Sequence, residues 1–296
     1  MACPLAWAQP TYPTTPEQAQ VVLTDVGNFL AVYDGLTAES DTAAALQAGY
    51  FDLGSPGLKE YVSRHQLTAE GIASAMQQKP EVYAGIAAFY TARDSVQAIW
   101  KEVLRPFHAV MPSPMYPPTY LLVGDLRGIA QASGLGQLVP VETTLKRRER
   151  LFDTMVHELT HFQQAKTQGI QRYAGLYSQE NNMLGVVLRE GGAEFVTYVL
   201  ARQRPYGHLK YVEGQEEELW ERFQEDLAQQ NLAAWLWQKD EEGKSVAYGY
   251  IMGYLISAAY YAQAEDKQQA ILDLIAMEDP EAFLAQSGYK GLTRDE

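Results

Sequence analysis

One cysteine, Cys3, stands in 296 residues. That excludes a disulfide framework and a cysteine-based zinc site. Basic residues are also few, 23 Lys and Arg against 37 Asp and Glu, for a net charge of −14. A surface this acidic is poorly suited to release counterions from a phosphate backbone, which argues against nucleic-acid partners and against docking to anionic membranes. Histidine is scarce, with five in the chain. No internal repeat, low-complexity segment or flexible linker interrupts a composition that is otherwise ordinary for a globular protein.

Long apolar runs are missing as well. Val246–Ala264 carries no charge and is long enough to span a bilayer, but it holds Tyr248, Tyr250, Tyr254, Tyr260, Tyr261, Ser257 and Gln263. It reads as a buried helix facing a polar site, with no integral membrane segment in the chain. Met1–Pro10 lacks a positively charged start and a full apolar stretch, yet Ala6-Trp7-Ala8 before Gln9 matches a small-x-small cleavage signal. Residues 1–15 therefore have two readings, an export-signal remnant or an unstructured N-terminus. An exported location, periplasmic or secreted, and a cytoplasmic one both stay open.

Residues 16–110 read as helical. Val21, Val22, Val26, Phe29, Leu30 and Tyr33 recur at helical spacing, and further helices are predicted over Thr37–Phe51, Leu58–His65, Thr68–Gln78 and Pro80–Leu104, with a turn at Gly54-Ser55-Pro56-Gly57. Prolines then punctuate the chain from Pro106 to Pro118. A strand at Thr119–Val123, a Gly-rich loop at Gly124–Gly136 and a strand at Gln137–Glu142 follow, and helices return from Thr144 to the end. Residues 111–296 form the chemistry-bearing part, packed with the N-terminal helices as one unit.

The chemistry sits in Leu151–Gln164, which contains His157-Glu158-Leu159-Thr160-His161. On a helix, Leu151, Phe152, Met155, Val156, Leu159 and Phe162 share one arc, and His157 and His161 sit one turn apart on the other side. Imidazoles ~5–6 Å apart at Cβ can bind one ion. Glu158, one residue on, then points toward a water on that ion as a base. A zinc site of this kind needs a third ligand. On a later helix, for which Ser178 is a cap candidate, Glu190 and Glu194 are one turn apart. Two carboxylates that close repel unless a cation offsets them. Glu190 fits as the ligand and Glu194 as acceptor for a ligand histidine's other N–H. Gly191-Gly192 between them would let this helix approach the metal helix closely.

The His-Glu-x-x-His stretch followed by Glu-Gly-x-Ala-Glu resembles the gluzincin metallopeptidases. With Gly54–Leu58, Tyr120–Glu142 and Gly249–Tyr254, the chain is also similar to the bacterial predicted zinc-dependent proteases of the DUF2268 family. The resemblance implies an α+β, mainly α-helical zincin-like fold with a small sheet beside the metal helix. It implies His157, His161 and Glu190 as zinc ligands, Glu194 behind them, and peptide hydrolysis with Glu158 as general base and a peptide or protein as substrate. Three further roles are softer. Thr119–Val123 is a candidate edge strand for an extended peptide or a plain structural strand. Tyr250, with Tyr254 on the same helix face, is an oxyanion donor or part of an aromatic core. His108 and His208 are bare alternatives for that donor, and His65 reads as a surface residue. A zinc-binding protein without protease activity and a metal-free helical interaction protein fit the same residues.

Overall fold

Capping chemistry written in the sequence sets the N-terminal helices. α1 (Thr24–Gly35) leads to α2 (Thr42–Leu46), where the Asp41 carboxylate accepts from the Ala44 N–H, and a π-helical turn continues it over Gln47–Phe51. α3 (Pro56–His65) starts with proline in its first turn and Ser55 Oγ accepting from the Leu58 N–H; Thr68 caps α4 (Ala69–Gln78) in the same way. Buried Asp25 accepts from both the N–H and the hydroxyl of Ser55, at 2.8 and 2.6 Å, and so ties α1 to the start of α3. The helix expected over Pro80–Leu104 is two, α5 (Pro80–Thr91) and α6 (Arg93–Val110), because Ala92 leaves helical geometry. α6 runs on through Pro106, where buried Trp100, Leu104 and Phe107 hold a helix that an interior proline weakens by ~3 kcal/mol. A computed structural model describes residues 12–145, 148–177, 182–202, 206–236 and 246–291; Ala6–Ala8 and Ser178 lie outside them.

Four short strands make one mixed sheet: β1 (Val21–Val22), β2 (Thr119–Leu122), β3 (Gln131–Ser133) and β4 (Gly136–Pro140), in the order β1-β2-β4-β3. β2 is parallel to both β1 and β4, and β3 is antiparallel to β4. Three expectations change here. Val21 and Val22, expected in the first helix, pair with Thr119 and Tyr120. The stretch expected to be a loop contains β3. The strand Thr119–Val123 is no edge, since it is hydrogen-bonded on both sides; β1 and β3 are the edges instead. The turn from β3 into β4 needs glycine: Gly136 has φ +147°, and a Cβ there would lie 2.1 Å from the Pro118 carbonyl oxygen.

The N-terminal helices grip the end of β2. Tyr50 Oη donates to the Val123 carbonyl and accepts from the Val123 N–H, both at 2.8 Å, and Tyr83 Oη donates to the Gly124 carbonyl at 2.8 Å. His65, expected on the surface, is half-buried against the Tyr61 ring, with centroids 4.5 Å apart.

The C-terminal half is helical: α7 (Arg148–Gln168), α8 (Ile170–Leu176), α9 (Met183–Thr197) with a π-helical extension over Tyr198–Arg202, α10 (Glu216–Gln229), α11 (Ala233–Leu236), α12 (Tyr248–Gln263), α13 (Lys267–Ala276) and α14 (Pro280–Ser287). No helix among the described residues is long and apolar enough to cross a membrane. The uncharged run at Val246–Ala264 becomes α12, buried along Ile251–Ser257 against α9.

α9 and α12 cross backbone to backbone. A Cβ on Gly191 would lie 2.3 Å from Gly253 C and Tyr254 N, and a Cβ on Gly253 would lie 2.0 Å from the Val187 carbonyl oxygen. Gly191 thus serves the approach to α12 and not the approach to the His157 helix that the sequence suggests; a Cβ on Gly192 would meet Leu274 and Ser257 only at ordinary contact distance. Helix propensity alone predicts that alanine at either crossing glycine stabilises by ~1 kcal/mol. The clash predicts the reverse, a loss of ~1–3 kcal/mol or more. Chemical denaturation of Gly191→Ala and Gly253→Ala decides the sign.

Candidate metal centre

α7 carries His157, Glu158 and His161, and α9 carries Glu190 and Glu194. All but Glu194, which is partly buried, are buried. Contact between α7 and α9 brings three donor atoms together. His161 Nε2 lies 3.0 Å from His157 Nε2 and 3.1 Å from Glu190 Oε2, and His157 Nε2 lies 3.6 Å from Glu190 Oε2. Ligands ~2.0–2.1 Å from a tetrahedral zinc are about 3.3 Å from one another. The observed edges bracket that value, so His157, His161 and Glu190 form a buried group that can hold a metal ion.

Neighbouring groups orient each donor. His161 Nδ1 lies 2.8 Å from Gln164 Oε1, an acceptor that places the proton on Nδ1 and leaves Nε2 free to ligate; Gln164 Nε2 donates in turn to the Arg189 carbonyl at 3.3 Å. His157 Nδ1 lies 3.2 Å from Glu194 Oε1, within ion-pair distance but outside hydrogen-bond geometry. Glu190 Oε1 accepts from Tyr177 Oη. The Tyr250 ring stacks on His157 with centroids 6.1 Å apart. Burial and then the Glu190 carboxylate push the Tyr250 hydroxyl well above the ordinary phenol range, so it keeps its proton. Burial raises the pKa of Glu158 against the opposing pull of His157 and His161, and the backbone N–H of Ala132 on β3 weakly favours its charged form.

The remaining candidates are elsewhere. Tyr254 packs with Phe195, Tyr198 and Tyr206 in an aromatic cluster. His208 stands against Tyr206 and Tyr211, and His108 Nδ1 lies 3.2 Å from Tyr116 Oη. Sequence reasoning misses Gln164, Tyr177 and Ala132. Gln164, three residues beyond His161 on one helix, carries a signal that spacing alone reveals. Tyr177 and Ala132 come from other elements, and no local pattern points to them. No protein-family model, curated protein or solved structure matches the chain.

Electrostatics couples metal to proton. Burial opposes charge on His157, but the Glu190 and Glu194 carboxylates outweigh it and hold the imidazole well above its ordinary pKa. Burial likewise opposes charge on Glu190, and His161 and His157 outweigh it and hold the carboxyl well below its ordinary range. Without metal, a histidinium thus faces a carboxylate at neutral pH. A metal ion must displace that proton. Calorimetric titration with zinc near neutral pH, in buffers of different ionisation enthalpy, should give about one proton released per ion, with affinity rising as pH is raised. A pH-independent affinity with no proton release would contradict this assignment of charge.

Proposed function

We propose that the protein is a zincin-type peptidase in which His157, His161 and Glu190 hold a zinc ion. The carrying observation is the donor triangle of 3.0, 3.1 and 3.6 Å, with a buried carboxylate, Glu158, on the same helix beside it. Two imidazoles and one carboxylate suit zinc by donor type and number, and three protein ligands leave a position open. When bound, zinc supplies Lewis acidity toward the scissile carbonyl and lowers the pKa of a water at the open position.

The chain's own residues account for the rest of the chemistry. Glu158 takes the proton of the attacking water and passes it to the leaving amine. The Ala132 N–H on β3 faces the Glu158 carboxylate. Tyr250, which keeps its proton, donates to the carbonyl oxygen as negative charge develops there. Glu194 stabilises His157 from behind. The substrate is an extended peptide or protein segment that lies along β3. In an antiparallel pair, a residue whose N–H points away from its partner strand turns its C=O the same way. Ala132, whose N–H reaches Glu158, therefore offers its carbonyl on the outer edge of the sheet to a peptide N–H.

Two measurements test this reading. Glu158→Gln keeps shape and hydrogen bonding but cannot accept a proton at neutral pH. Cleavage of a peptide library should fall ~10²–10⁴-fold with zinc content unchanged; wild-type cleavage by the zinc-loaded variant would rule the mechanism out. Glu190→Ala should strip most of the zinc, whereas Glu194→Ala should weaken binding only ~10–100-fold. The opposite ranking, read by elemental analysis after dialysis, would exchange the two roles.

A further inference from the structure

His157, His161 and Glu190 each have a second polar atom, and beside each stands a neighbour. His161 Nδ1 lies 2.8 Å from Gln164 Oε1, His157 Nδ1 lies 3.2 Å from Glu194 Oε1, and Glu190 Oε1 accepts from Tyr177 Oη. The consequence differs between the donor types. The two nitrogens of an imidazole point in different directions, so a histidine bound through Nε2 has no second bond to give the same ion. A carboxylate carries two oxygens on one carbon and binds an ion through one of them or through both. Glu190 Oε2 stands in the donor triangle, 3.1 Å from His161 Nε2, while Oε1 is turned to the phenol. Of these three neighbours, Tyr177 alone bears on how many bonds an ion there would receive.

The fold fixes Tyr177 from α9. Tyr177 directly follows α8, and its ring centre lies 4.9 Å from the guanidinium of Arg189, the residue before Glu190. Arg189 is buried, lies 3.9 Å from the Tyr173 ring centre and donates from Nη1 to the Tyr173 carbonyl at 2.7 Å. A guanidinium shut away from water gains most from the aromatic faces it meets, so it holds both rings against α9. Glu190 thus supplies the donor, and its neighbour in sequence holds the ring whose hydroxyl turns that donor.

We propose that Tyr177 is a positioning residue that keeps Glu190 a one-oxygen ligand and so keeps a coordination position free for an oxygen from outside the protein. A catalytic zinc site works with three protein bonds and an open position. A second bond from Glu190 would fill the space that an incoming oxygen needs. The proposal rests on the reading of His157, His161 and Glu190 as metal ligands and does not depend on peptidase activity.

Cobalt(II) is the probe. A tetrahedral field has no centre of symmetry, which makes the visible bands of four-coordinate cobalt intense; a further bond weakens them. The full-length protein loaded with cobalt should show the intense bands. Tyr177→Phe keeps the ring against Arg189 and loses only the hydroxyl, at a residue 47 % exposed, so the fold is not at stake. The variant should still take up cobalt, and its visible bands should weaken severalfold. X-ray absorption of the zinc-loaded variant should show one more oxygen than wild type at ~2.0–2.2 Å from the ion. Tyr177→Ala should give the same spectrum as Tyr177→Phe; a ring that acted by packing alone would leave Tyr177→Phe like wild type and alter only Tyr177→Ala. A wild-type spectrum in Tyr177→Phe, or weak bands already in the wild-type protein, would overturn the proposal and leave the metal reading standing. A wild-type protein that takes up no cobalt would overturn both.

Discussion

Three electronegative atoms held 3.0–3.6 Å apart in a buried position repel one another unless something positive lies among them. That constraint organises the C-terminal half of the molecule. Either a proton on an imidazole or a metal ion has to meet it. The carboxylates of Glu190 and Glu194 flank His157 so closely that the proton is retained when no metal competes. The groups around the triangle are arranged accordingly: an amide oxygen behind His161, a phenol on the far oxygen of Glu190, and a second aromatic ring stacked on His157. The first spends a lone pair and the second a proton, so that the remaining donor atoms converge.

The site was legible in the sequence as far as one helix and one spacing reach. His157, Glu158 and His161 follow from a four-residue repeat on a single helix, and Glu190 with Glu194 from the same repeat on the next long one. Periodicity also recovers the helical character of the fold and the existence of β2 and β4. It fails where pairing decides. Val21-Val22 carries apolar periodicity that fits the start of a helix, but the edge of β2 claims it as a strand. β3 is three residues inside a Gly-rich stretch and has no pattern of its own; it exists because β4 offers it a ladder. The order of strands in the sheet, and with it the identity of the edge, is a tertiary fact that no local window contains.

The same limit explains the glycines. The sequence marks Gly191 as a place where something comes close, without saying what. The partner is the backbone of another helix that also has a glycine at the crossing, more than sixty residues along the chain. Two local signals had to be matched to each other, and only the fold matches them. Tyr177 is a comparable case: an exposed residue by its surface, and a partner of Glu190 in the candidate metal centre by its hydroxyl.

The glycine crossing also sets an order of events during synthesis. His157, His161 and Glu190 have all left the ribosome before α12 is made, so every metal donor is available early. The helix that covers Gly191 and brings Tyr250 onto His157 comes later. Chains emerge from their N-terminal end, so for the time it takes to add Tyr198 through Gln263 the face of α9 that α12 covers has no partner. During that interval a nascent chain has ligands but no closed site. The moment at which Gly253 seats on Gly191 is then also the moment at which the His157–His161–Glu190 group becomes a shielded one.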